Sequence, residues 1–222
     1  MEEKQVSQRI KTLVDQIKYP RLADVGTDHG YIPIWACKQG KVTHAIGMDI
    51  AKLPLENARR NVMGHHLQGQ ITLRLGDGIR PLKAGEADVI IIAGMGGKTI
   101  REILTDQEQV LEGVSQLILS PQSGVPNVRR HVHGLGYLIE TEIFILEDGR
   151  YYHILNCVKG QETYTALEYE LGKCLMEKPT PIYLAYLSKE KQKLAAILAQ
   201  IDPSLDRAKE LKAQIAYYKN LV

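Results

Sequence analysis

Asp24-Val-Gly-Thr-Asp-His-Gly-Tyr31 closes a short apolar run that begins at Leu22 and leads into a helical pattern that opens at Tyr31. Strand, glycine loop and helix in that order mark where α/β proteins hold a nucleotide-like ligand. A dinucleotide fingerprint has its second glycine two residues after the first, so that the backbone can approach a pyrophosphate. After Gly26 that position is Asp28. A carboxylate there repels a diphosphate but suits the ammonium or sulfonium of S-adenosylmethionine, which carries no phosphate. The loop therefore reads as a methyl-donor site, with Asp24, Gly26, Asp28 and Gly30 as binding residues.

Two further acidic residues stand where such a donor needs them. Asp49 ends His44-Ala-Ile-Gly-Met-Asp49, about twenty residues past the loop, where a carboxylate can accept both ribose hydroxyls. Its neighbour Ile50 is grouped with it in the donor site. Asp77 lies in Leu75-Gly-Asp-Gly78, after the apolar-patterned Ile71–Leu75, and can accept from the adenine amino group while Gly76 and Gly78 let the backbone pass close to the ring. Any one of these aspartates alone is equally well a turn or helix-capping residue. A glycine loop with Asp49 and Asp77 at successive strand ends points to the donor.

The alternation of elements extends outward from this loop. A helix is expected over residues 5–17, then strand Leu22–Val25, a helix from Tyr31 to about Gln39, strand His44–Met48, helix Pro54–Val62 and strand Ile71–Leu75. Ala87-Asp-Val-Ile-Ile-Ile-Ala93 is apolar almost throughout, as a strand buried on both faces is. Helix Thr99–Leu104, strand Gln116–Ser120, helix Val125–Gly134 and strand Tyr137–Leu146 follow. Glu147-Asp-Gly-Arg150 then gives an Asp-Gly turn into Tyr151–Val158, an antiparallel return. The fold class is α/β: over residues 1–160, a Rossmann-like class I methyltransferase domain with a mainly parallel sheet and an antiparallel last strand.

Residues 161–222 are expected to form a helical domain. Leu167, Leu171 and Cys174 share a stripe before the break at Lys178-Pro-Thr-Pro181. Leu184, Leu187, Leu194, Leu198 and Ile201 then fall mostly at three-four spacing, with Lys191 at one seam position, and Asp202-Pro203 stops the helix. Ala208, Leu211, Ile215, Tyr218 and Val222 repeat the spacing, so the two helices read as an antiparallel coiled-coil hairpin. Nine Lys and Arg against eight Asp and Glu leave this segment nearly neutral, so it acts by shape. Such a hairpin either packs on its own domain, dimerises, or reaches a large substrate.

Composition limits the partners. The 222 residues are 44% hydrophobic and 24% charged with a net charge of +2, enough for one ordinary core and an appendage. Without a strong basic balance, any nucleic acid must be held by a local patch. No stretch is long and apolar enough to span a bilayer, and the charged, amphipathic start of the chain is unlike a secretory signal. Cys37, Cys157 and Cys174 are far apart and form no CxxC pair, which favours reduced thiols and no metal site. A cytoplasmic enzyme, monomeric or weakly dimeric, is expected. Gly94-Met-Gly-Gly97-Lys98-Thr99 imitates a phosphate-binding P-loop, but that pattern needs a glycine at position 92, where the chain has Ile.

Several stretches together carry a family likeness: Ser7-Gln-Arg9-Ile, Asp24 through Tyr31-Ile-Pro33, Asp49, Gly76-Asp-Gly78, Ala93-Gly-Met-Gly-Gly97, Leu119-Ser-Pro-Gln122 and Glu147-Asp-Gly-Arg-Tyr-Tyr152. With the helical tail they make the chain resemble, over essentially its whole length, the bacterial tRNA adenine N1-methyltransferases that modify position 22 in the D arm. The resemblance implies methyl transfer from S-adenosylmethionine to N1 of that adenine, with Arg9 reaching the methionine carboxylate and Gly94 and Met95 joining the donor site. A methyltransferase of the same fold acting on another RNA position, a small metabolite or a protein is the alternative.

In this fold the acceptor approaches over the strand ends beside the donor. Enzymes that methylate exocyclic amines place an Asn or Asp before Pro-Pro and an aromatic after the fourth strand; this chain has Gly94-Met-Gly-Gly97. An unpaired adenine N1 already offers a lone pair at neutral pH, so the difference accords with an N1 product. Asp28 is the first candidate for the catalytic electrostatic role and His29 the second. Tyr31 is placed to stack on a base. Lys98, Arg101, Arg129, Arg130, His131, His133 and Arg150 are candidates for neutralising tRNA phosphates, although each type is common on a wet surface.

Overall fold

The computed structural model describes residues 6–221. Its elements in chain order are α1 (Gln8–Asp15), β1 (Arg21–Val25), α2 (Tyr31–Lys38), β2 (His44–Asp49), α3 (Lys52–Gly64), β3 (Ile71–Leu75), β4 (Val89–Ala93), α4 (Gly97–Asp106) and α5 (Glu108–Leu111). Then follow β5 (Gln116–Ser120), α6 (Val125–Gly134), β6 (Tyr137–Glu147), β7 (Arg150–Lys159), α7 (Ala166–Leu171), α8 (Lys173–Glu177), α9 (Pro181–Leu198) and α10 (Asp206–Leu221). The seven strands form one sheet in the order β3-β2-β1-β4-β5-β7-β6. All pairs are parallel except those of β7, which runs antiparallel to both β5 and β6.

The apolar run at β4 shows why a strand buried on both sides needs no alternation. Ile90 and Ile92 pack on one face with Ile100 and Leu104 of α4 and Val128 and Val132 of α6. Val89 and Ile91 pack on the other with Leu13 and Val14 of α1 and Ile34 and Trp35 of α2. Successive side chains point to opposite faces, and each fully buried Ile contributes roughly 1.5–3 kcal/mol relative to exposure. An aspartate at Ile91 would put an unpaired charge in that core.

The β6–β7 turn is the one its Asp-Gly signal predicts. Asp148 (φ 49°) and Gly149 (φ 73°) both adopt left-handed backbone, the conformation that lets a two-residue loop match the twist of the strands it joins. Upstream, the β6 register shifts between Ile139 and Thr141. The first helix is shorter than expected, starting after its cap Ser7, whose hydroxyl accepts from the Ile10 amide; residue 5 lies outside the described residues, as does Val222.

The tail does not begin as one continuous helix. Gly172 (φ 90°) separates α7 from α8, and a Cβ there would lie 2.5 Å from Glu142 Oε2. Tyr164 belongs to the core of the sheet domain. Phe144 of β6 is buried with Leu171, Leu175, Tyr183, Leu187 and Tyr218, so the bases of α9 and α10 are seated on the sheet's outer strand. Of the expected seam residues, Leu187, Ala208, Leu211 and Tyr218 are buried, whereas Leu184, Leu194, Leu198 and Ile215 are half-buried. Burial thus persists at both ends of the pair, at Leu187 and Tyr218 by the sheet and at Ala208 and Leu211 near the turn.

Candidate active site

The carboxyl ends of β1, β2, β3 and β4 bring together the residues that the sequence predicts for the donor site. Thr27 and Gly26 both donate their amides to the Met48 carbonyl, at 2.9 and 2.8 Å. The Asp28 amide donates to Asp49 Oδ2 at 3.2 Å, and the Ala51 amide donates to Asp49 Oδ1 at 2.9 Å. Each carboxylate oxygen thus spends one lone-pair site on backbone and keeps another, which orients Asp49 for a pair of neighbouring hydroxyls. Gly76 donates to the Asp49 carbonyl at 2.9 Å, tying in the third loop. The side chain of Ile50 stands exposed beside them.

Gly26 completes the cradle. Its φ is +73°, and a Cβ would lie 2.4 Å from Met95 Cε, so the first and fourth loops can meet only where no side chain intervenes. Gly94 (φ +82°) likewise leaves its upper side bare, with Arg9 Nη1 at 3.7 Å from where a Cβ would stand. Arg9 is steered there from α1: its guanidinium lies over the Tyr152 ring at 4.9 Å, and its amide donates to Glu147 Oε1 at 3.2 Å. Both partners come from the β6–β7 turn region, a link that no local sequence pattern reveals.

Asp24 is buried, and burial pushes its carboxyl up to about 7, with Thr27 opposing and the nearby Asp49 charge adding to the rise. Among the described residues its Oδ2 has no hydrogen-bond partner, nor has Ser120 Oγ at the end of β5. Unpaired buried polar atoms beside an open strand end suit a ligand that supplies donors. Asp77 is more than half exposed and lies 3.4 Å from Arg80. It borders a cavity of about 190 Å³ lined also by Gly78, Ile79, Thr99 and Ile103.

Above this cradle, Asp28 (φ 47°) takes a left-handed backbone conformation that aspartate tolerates better than most residues. His29 Nε2 lies 3.6 Å from Asp28 Oδ1, and the imidazole stacks on the exposed Tyr31 ring at 5.3 Å. Asn61 Nδ2 donates to the His29 carbonyl at 2.9 Å and fixes this corner from α3; sequence reading missed it because nothing near Asn61 marks the contact.

The predicted phosphate contacts divide. Lys98 is exposed, 3.7 Å from Glu102. Arg101 is half-buried, its Nε unpartnered among the described residues, and Arg150 is exposed at the β6–β7 turn. Arg129 is corrected: it is fully buried and cannot reach a phosphate. Its Nε donates to Glu142 Oε2 at 3.0 Å and its Nη2 to Oε1 at 2.6 Å, while Nη1 donates to the Tyr169 and Glu170 carbonyls. Burial pushes Glu142 up, but Arg129 and His153 outweigh it and hold the carboxyl at about 2. Arg130, though exposed, is turned to the tail, over Tyr169 at 4.6 Å and 3.7 Å from Glu170. His133 is packed edge-on to Tyr164 and bonded to the Tyr169 hydroxyl, and burial lowers its pKa. His131 meets Thr105, and burial and Arg101 lower it too.

Among the described residues, no group of three His, Cys, Asp or Glu could hold a metal ion, and no helix is long and apolar enough to cross a membrane. A sheet of this order, with glycine loops and acidic residues gathered at its carboxyl edge, is that of an S-adenosylmethionine-dependent class I methyltransferase. Residues 22–220 match the model of the tRNA (adenine(22)-N(1))-methyltransferase family. The chain belongs to that family. The tRNA (adenine(22)-N(1))-methyltransferase of Bacillus subtilis is 31% identical across all of this chain and 99% of its own. A putative tRNA (m1A22) methyltransferase of Streptococcus pneumoniae superposes with a TM-score of 0.91 at 30% identity, over 97% of this chain and 99% of that one. The M. capricolum relative solved with S-adenosyl-homocysteine gives 0.84 at 31% identity, over 97% of each chain.

Proposed function

We propose that this protein methylates N1 of adenine 22 in the D arm of tRNA, in the cytoplasm, as a monomer or weak dimer. The observation that carries the site assignment is the joining of four strand-end loops by Asp49 and by the close approach of Gly26 to Met95, beside a β4 end where Gly94-Met-Gly-Gly97 stands in place of an Asn/Asp-Pro-Pro motif. S-adenosylmethionine supplies an electrophilic methyl carbon on a sulfonium. Asp49 holds its ribose hydroxyls, Asp77 and Ile50 border the adenine, and Asp24 and Asp28 face its ammonium. Arg9 meets its carboxylate.

The acceptor needs placement more than a base. Adenine N1 attacks through its own lone pair, and the product base is cationic, so the exposed Asp28 carboxylate stabilises the charge that develops. His29 and Tyr31, already stacked on each other, form a shelf beside it. Pulling adenine from its stack costs about a few kcal/mol, which contacts to the rest of the tRNA must offset. Lys98, Arg101 and Arg150 contribute charge, and the helical segment 161–222, with its hairpin, contributes shape.

The test is to incubate the protein with labelled S-adenosylmethionine and unmodified tRNA transcripts, digest the RNA and identify the nucleoside by mass spectrometry. N1-methyladenosine at position 22 alone is expected. Methylation at another position, or equal efficiency on free adenosine and full-length tRNA, overturns the proposal.

A further inference from the structure

Gln122 lies in the loop after β5. Three backbone hydrogen bonds clamp that loop to the one after β4: Gly94 to the Ser120 carbonyl at 3.1 Å, Gln122 to the Met95 carbonyl at 2.8 Å, and Gly97 to the Ser123 carbonyl at 2.9 Å. A Cβ on Gly97 would lie 2.4 Å from that same Ser123 oxygen, so the two loops touch backbone to backbone. The side chain carried by this fixed platform is exposed and, among the described residues, its amide makes no hydrogen bond. Its Nε2 lies 3.9 Å from where a Cβ of Gly94 would stand, on the same bare surface that Arg9 approaches.

Resting on the proposed function, we infer that Gln122 reads the acceptor base through N6 and N7. The reacting N1 must stay free, so the Watson–Crick edge cannot be fully engaged for recognition. The other polar edge of adenine offers an N6–H donor beside the N7 acceptor, and a glutamine amide matches that pair with one acceptor and one donor. Guanine presents two acceptors on that edge, so either rotation of the amide leaves one contact repulsive. Adenine selectivity thus comes from the loop clamped beside Gly94 and Met95, while N1 remains directed at the methyl carbon.

The test compares full-length protein and its Gln122→Ala and Gln122→Glu variants on tRNA transcripts carrying adenosine or 7-deazaadenosine at position 22. Comparing the ratio of the two substrates within each variant cancels the altered reactivity of N1 in the deaza base. With wild type, kcat/KM is expected to fall about tenfold on the deaza transcript, the scale of one good base contact. Gln122→Ala should lose at least about tenfold on adenosine and show no further deaza penalty, and Gln122→Glu, which keeps the N6 contact and cannot donate to N7, should also show no deaza penalty. S-adenosylmethionine affinity, read by calorimetry, should be unchanged in both variants. A deaza penalty that survives in Gln122→Ala, wild-type activity of that variant on adenosine, or a matching loss of donor affinity overturns the inference. Absence of N1-methyladenosine with wild type would instead overturn the proposed function.

Discussion

Asp24 should make donor binding depend on pH in one direction. In the free protein its buried carboxyl is raised from 3.8 to about 7. The folded state therefore keeps a proton that the unfolded chain releases. The stability linked to this group is complete below about pH 4 and is lost as pH rises through about 7, a change on the order of 4 kcal/mol. A donor ammonium placed beside the carboxylate favours the ionised form, so binding expels that proton. If only the ionised form binds, the competent fraction rises from about 3% at pH 5.5 to half at pH 7, and Kd should fall about fifteenfold. Staying at or below pH 7 keeps the donor's own α-amino group protonated. Isothermal titration calorimetry of S-adenosylmethionine in buffers of different ionisation enthalpy measures both Kd and proton release, expected to be about half a proton at pH 7. Asp24→Asn should bind weakly with a flat profile. A wild-type Kd that changes less than twofold over this range, without proton release, would refute the reasoning.

Three other outcomes follow from geometry. Arg129→Met strips the buried Glu142 of its bidentate partner and leaves only His153 against it, so urea unfolding should show a loss of about 3 kcal/mol, and adding Glu142→Leu should restore much of it. Gly26→Ala imposes a left-handed conformation costing about 1–2 kcal/mol and pushes Met95 into the donor space. Its thermal midpoint should drop by a few degrees while donor Kd rises more than tenfold, and Met95→Ala should recover part of that affinity. Asp49→Asn cannot accept as a carboxylate from both ribose hydroxyls; each charge-assisted bond is worth about 1.5–3 kcal/mol. Donor Kd should rise at least about tenfold, and a 2′-deoxy donor should lose less affinity in this variant than in wild type.

The sheet domain was legible because its signals are local. Helix α6 runs from Val125 to Gly134 as its spacing predicts, and the Asp-Gly turn has the backbone its sequence asks for. The convergence of Gly26, Asp49, Gly76 and Gly94 at neighbouring strand ends was legible too, since glycine loops and acidic strand ends recur at set positions along a doubly wound sheet. Arg129 was misjudged for a physical reason. Tyr137 and Ile139 are buried on alternate positions, but the register shift between Ile139 and Thr141 reverses the parity, so that Glu142 and Phe144 point inward. One extra residue in a strand therefore turned Glu142 into a core partner and drew Arg129 from the surface. Gly172 was passed over inside the stripe from Leu167 to Cys174, because its constraint comes from Glu142, distant in sequence. Contacts such as Asn61 with His29, or Tyr152 beneath Arg9, join distant segments that no spacing rule connects.

The arm and the core are joined by the two hydrogen bonds that Arg129 makes to the Tyr169 and Glu170 carbonyls, and by the seat of Tyr183 and Tyr218 against Phe144. Helix α9 has 18 residues, so at 1.5 Å per residue its length is about 27 Å. A tilt of about 5° at its seat would carry the far tip through about 2 Å, enough to break a hydrogen bond. The hairpin therefore behaves as a lever whose aim is set at the fulcrum. Substitutions buried deep in β6 should therefore displace the far tip while the strand-end loops around Asp49 stay intact.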